Sequence, residues 1–194
     1  MTLVVMDLPT PGQLRGRWAA WAAVNGALGS GRGCWARGGV WHYDDAGGNW
    51  VDLHHLGDGR AVLVGYDHEC SPEPEEGFDP LVGTPGWWAP PAREAVRSYD
   101  FIGFVYGFDG VRWQRADYAI EDGFGAIGLP ALSRERTHRR ITGALDREPQ
   151  APAAAIDALI DADADLTEDL VVAVTGAVGD PAAGARHGRA FREV

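Results

Sequence analysis

Three apolar runs separated by very short glycine-containing connections constrain this chain more than anything else in it. They are CWARGGVWHY (34–43), NWVDLHHL (49–56) and RAVLVGYD (60–67), joined by DDAGG and GDG. Each run has strand length and strand composition, and connections this short cannot return the chain for parallel pairing. The expectation is an antiparallel meander. A second hairpin follows: Phe101 to Phe108 is apolar almost throughout and reads as a central strand, and the turn Asp109-Gly110 leads into VRWQRADY.

Helical signals flank these strands. Thr10 and Pro11 open a helix whose Leu14, Trp18, Trp21, Val24 and Leu28 share one face, and Gly29 and Gly31 stop it. A short helix is expected at 91–98. From Leu132 onward the chain is Ala-rich, with helices expected at 132–147, 152–161 and 167–177, the last capped by Thr167. The C-terminal stretch GDPAAGARHGRAFREV is expected to be loosely ordered. The fold class is therefore α+β: an N-terminal helix packed on an antiparallel sheet of about five strands, followed by a helical C-terminal region. The expected division is a sheet domain at 1–131 and a helical tail at 132–194, docked on the same domain.

Charge limits the partners. The formal net charge is -11, with 28 acids against 17 bases, and every base is Arg. An acidic chain lacks the cation cluster that phosphate binding needs, so nucleic acid is not an expected partner. The absence of Lys excludes Schiff-base and P-loop lysine chemistry. Cys34 and Cys70 lie far apart without a CxxC, which fits a reducing cytoplasm. No apolar stretch reaches membrane-spanning length, and MTLVVMDLPTPG lacks the basic start of a signal peptide.

The candidate sites were weighed against strand geometry. Asp67, His68, Glu69 and Cys70 stand in a row where an apolar strand ends, near His54 and His55 in sequence. If Asp58-Gly59 is a two-residue turn, paired residues sum to 117 and Asp67 faces Trp50. His68 then lies on the order of 16 Å along the ladder from His54, too far to share a metal ion, which needs ligands within about 2.3 Å. No metal and no cofactor are expected. The same register, with Tyr43 opposite Asn49, puts Trp41, Val51, Leu53, Val62, Val64 and Tyr66 on a core face. It puts His42, Trp50 and Asp67 in one row on the other face, with Asp52, His54 and Val40 nearby. That row reads as a half-solvated sheet face, as a His–Asp hydrogen bond under the first helix, or as a small recognition patch.

No nucleophile motif of the GxSxG kind is present, and the acids around Cys70 disfavour a thiolate. GSGRG (29–33) follows a helix, the wrong context for a dinucleotide cradle. The basic cluster SRERTHRR (133–140) is expected to pair with Asp157, Asp161, Asp163 and Asp165. The segment 68–86 is acidic and Pro-rich and ends in Trp87-Trp88, either a binding surface or the anchor of a long loop.

GNWVDLHHLGDGRAVLVGYDHE, GTPGWW and IGFVYGFDGVRWQRADY resemble a family of uncharacterised proteins from GC-rich bacteria, over about Trp41 to Leu132. That resemblance carries no activity. In size, charge and aromatic content the chain also looks like small acidic toxin-immunity proteins. The expected function is a non-enzymatic acidic binding protein recognising a basic protein partner, with His42, Trp50, Asp67, His68, Glu69, Trp87 and Trp88 as the candidate binding residues and no catalytic ones. The alternatives are a small hydrolase or ligand-binding enzyme using the His42/Trp50/Asp67 face or the Asp67–Glu69 strand end, and a structural component of a larger assembly.

Overall fold

The computed structural model describes residues 2–72, 77–145 and 150–192. The fold is α+β with an antiparallel sheet, and the described residues form seven strands and six α-helices. In chain order they are β1 (Leu3–Met6), α1 (Pro11–Ala27), β2 (Cys34–Arg37), β3 (Val40–Asp44), β4 (Trp50–His55), β5 (Ala61–Tyr66), α2 (Ala89–Tyr99), β6 (Phe104–Phe108), β7 (Trp113–Ala116), α3 (Arg134–Leu145), α4 (Ala153–Asp161), α5 (Glu168–Thr175) and α6 (Pro181–Arg189). The count of about five strands is corrected twice. Leu3–Met6 is a strand, and CWARGGVWHY is two strands, because Gly38 and Gly39 both take positive φ (57° and 78°) and turn the chain between them.

The chain forms two compact units, one of residues 1–10 and 42–128, the other of residues 11–41 and 129–194. The first carries strands in the order β1-β7-β6-β5-β4, followed by the His42–Asp44 part of β3. Trp50 pairs with Tyr66, Asp52 with Val64 and His54 with Val62, and across the next ladder Val62 pairs with Gly107 and Val64 with Val105. The expected register is thus off by one. Leu56 N–H donates to Arg60 O, and Gly57, Asp58 and Gly59 all have positive φ, so the turn holds three residues and not two. A one-residue slip moves β4 side chains to the other face relative to β5. Trp50, Asp52 and His54 therefore share a face with Val62, Val64 and Tyr66, and Trp50 does not pair with Asp67.

Helix α2 covers that face. Ala92 and Ala95 pack with Trp50, Val62, Val64, Val105 and Trp88 into one core cluster. Burying such side chains contributes about 1.5–3 kcal/mol each. Trp88 lies across Gly107: a Cβ there would stand 2.1 Å from its ring. The opposite face of β5–β7 carries Leu63, Tyr106 and Arg115, where Phe104, Tyr106 and Phe124 meet edge to face or tilted at 5.0–5.5 Å between centroids.

In the second unit, α1 is buried all round from Trp18 to Val24 and not on one face: Ala19, Ala20, Ala22 and Ala23 are as covered as Trp18 and Val24. A helix apolar on every side belongs inside a bundle, and α3, α4, α5 and α6 all pack on it. The expected loose C-terminal stretch forms α6 and a short helical turn as far as Arg192, with 193 and 194 outside the described residues. Asp180 accepts a hydrogen bond from Ala183 N at 3.0 Å and caps α6. Gly184 and Gly188 bring α6 against Ala23, Ala27 and the carbonyl of Ala19, and Phe191 is buried against Trp18 and Trp41. The expected helix at 132–147 runs as α3, with 146 and 147 outside the described residues. The basic cluster pairs with two of the four expected acids: Arg134 bonds Asp157 (2.7 Å) and Asp161, and His138 bonds Asp157 at 2.9 Å, while Asp163 and Asp165 pair with Arg15 and Arg192. Arg139 instead meets Glu135, and Arg140 lies over Trp21.

Candidate functional site

The polar side chains expected to form a patch sit on the α2-covered face, in a different combination. Asp52 takes the place given to Asp67: His42 Nδ1 lies 2.6 Å from Asp52 Oδ1, and both residues are about 5% exposed or less. The turn explains the exchange. Asp45 N–H donates to Asn49 O, so the DDAGG connection closes two residues later than expected. Tyr99, the last residue of α2, closes the cluster. Its ring stacks on Trp50 at 4.1 Å, lies parallel to the His42 ring at 6.1 Å, and brings its hydroxyl 3.4 Å from His42 Nδ1. Burial, then the charges of Asp52 and Asp44, push the Tyr99 phenol up to about 12.

His54 lies two residues further along β4, 7% exposed, and its Nε2 has no hydrogen-bond partner. Burial lowers its pKa, and the opposing pulls of Asp52 and Glu94 do not offset that. It is held neutral beneath α2.

Asp67 has another task. Its Oδ1 accepts from Glu69 N and Cys70 N, and its own N–H donates to Ser71 Oγ at 2.9 Å. This is an Asx-type turn that ends β5. His68 is exposed and tied to Asn49 through both its backbone N–H and its ring, and Glu69 is exposed. Cys70 is exposed too; desolvation, Asp67 and Glu69 all push its thiol up, against thiolate chemistry. Trp88 is 1% exposed and anchors the core, whereas Trp87 is half-buried with the Arg60 guanidinium 5.4 Å over its ring. Residues 73–76 of the acidic loop expected to accompany them lie outside the described residues.

One polar cluster was not foreseen. On the opposite face, Asp122 Oδ2 accepts from Tyr106 Oη at 2.7 Å and from Tyr118 Oη at 2.6 Å, while Oδ1 accepts from Phe124 N at 3.1 Å. Ser71 Oγ donates to the Asp122 carbonyl at 2.9 Å, and Arg115 lies 4.2 Å over the Tyr118 ring. Burial, with Asp122 adding to it, raises both phenols far above their ordinary value. The only sequence signal was an acid in the Gly-rich segment EDGFG, and nothing there names its tyrosine partners.

Among the described residues, no group of three or more His, Cys, Asp or Glu side chains is placed to hold a metal ion, and no helix is long and apolar enough to cross a membrane. No family model, curated protein or solved structure matches this chain.

Proposed function

We propose that this protein is a non-enzymatic acidic binding protein for a basic protein partner, of the kind an immunity-type inhibitor of a basic toxin or effector would be. The observation that carries this reading is the charge. The net is -11, and many of the cations are already engaged internally. Arg15 pairs with Asp163, Arg134 with Asp157 and Asp161, Arg139 with Glu135 and Arg192 with Asp165, while Arg17 and Arg189 donate to backbone carbonyls. The excess of carboxylates is left for solvent, or for a partner that it would steer electrostatically. Two unpaired cysteines fit a cytoplasmic setting for that encounter. A pull-down from the native host at low salt tests the reading: a basic protein retained at low salt and released at high salt is expected, and recovery of no partner overturns it.

The His42–Asp52 contact favours a second reading, a small hydrolase or ligand-binding enzyme on this face. A carboxylate at 2.6 Å from Nδ1 is how a general-base histidine is oriented. Turnover of nitrophenyl esters or phosphates by the native protein, abolished in His42→Gln, would replace the first reading.

A further inference from the structure

Four aromatic rings line up at the α2 end of the covered face. Tyr99 stacks on Trp50, Trp50 is the cross-strand partner of Tyr66, and Tyr66 meets Phe101 at 5.9 Å. The floor is closed, since Trp50 is 6% exposed, but the ends are open: Phe101 is 46% exposed, and Tyr99 and Tyr66 are half-buried. Carboxylates lie near Tyr99. Asp44 and Asp52 are close enough to act on the Tyr99 phenol, and exposed Asp100 stands between Tyr99 and Phe101 in the chain. Val96, on the last turns of α2, adds exposed apolar surface.

Exposed aromatic faces beside carboxylates suit a cation, and among side chains a guanidinium suits them best. It is planar, stacks on rings and takes carboxylates in bidentate pairs, whereas an ammonium does neither. Resting on the proposed function, we infer that the Tyr99–Trp50–Tyr66–Phe101 ledge, with Asp44 and Asp100, receives an arginine side chain of the basic partner. Charge complementarity selects that occupant over a second copy of this chain, which would bring a further -11 to the same surface.

The test uses an arginine–glycine repeat peptide and the matching lysine–glycine peptide, titrated into the full chain at low salt with calorimetry and amide-shift mapping. The arginine peptide is expected to bind more tightly and to shift residues 42–52, 66 and 99–101. Phe101→Ala and Tyr99→Ala should each weaken it by about fivefold or more. Asp44→Asn should weaken it, while Glu135→Gln, an equal charge change on α3, should not. Urea unfolding of each variant separates lost binding from lost fold. Equal affinity for both peptides, with Asp44→Asn and Glu135→Gln alike, overturns the ledge but leaves a charge-driven binder standing. Binding of neither peptide also overturns the ledge, and the pull-down then decides the parent reading by itself.

Discussion

Asp52 and Asp122 are both buried carboxylates on the central strands' unit, on opposite faces of the sheet, yet they are held differently. Asp122 accepts from two phenols and a backbone amide, donors that stay protonated at neutral pH. Asp52 meets one imidazole, that of His42, through one oxygen. The first arrangement is a clamp joining β6 to the segment after β7. The second is closed by the Tyr99 ring, which stacks on Trp50 and brings its hydroxyl to His42. The contrast separates a buried carboxylate held by three donors from one that meets a single imidazole.

The largest effect should come from breaking the clamp. Asp122→Ala strands two phenolic hydroxyls and one amide, and should cost about 3–5 kcal/mol in urea unfolding. Asp52→Ala, which removes one partner from His42, should cost less, about 1–3 kcal/mol; equal losses at the two sites would erase the distinction. Tyr118→Phe deletes one of the two donors to Asp122 and should cost about 1 kcal/mol.

The smallest effects are those of pH. The folded state lowers the His54 pKa, so the unfolded chain takes up this proton first. Stability should decline as pH falls through the ordinary histidine range near 6.5 and level off below the folded value. His54→Gln should flatten that part of a stability profile. At the alkaline end, Tyr99, Tyr106 and Tyr118 all hold their protons more tightly when folded, so stability should fall as pH rises above about 10, where unfolded tyrosines ionise. Tyr118→Phe should shrink that alkaline loss more than Phe101→Ala does.

Strand identity was legible because β4, β5 and β6 have strand length, apolar composition and glycine turns. Register was not. GDG closes equally well as two residues or three, and it is the Leu56 N–H to Arg60 O bond, with His55 opposite Ala61, that distinguishes them in the folded chain. The one-residue slip at GDG took Asp67 out of the row, and the two-residue shift at DDAGG brought Asp52 beside His42. The side chains that meet His42 are therefore Asp52 and Tyr99, and Asp67 ends β5 instead. The Asp122 clamp was illegible for a different reason: Tyr106, Tyr118 and Ser71 reach it from three segments with no shared periodicity. The ordered C-terminus was hidden by its glycines, which read as breakers but serve as seats for Ala23 and Ala27.

The Trp88–Gly107 fit also bears on how such a sequence can change. Gly107 has no atoms to spare, because a methyl there would overlap the indole that anchors the loop before α2. A mutation at 107 alone inserts a clash, and shrinking 88 alone opens a void, so each first step is penalised while the pair together need not be. Descent should therefore change the two positions jointly or leave both fixed. A related chain with a larger residue at 107 should carry a smaller one at 88.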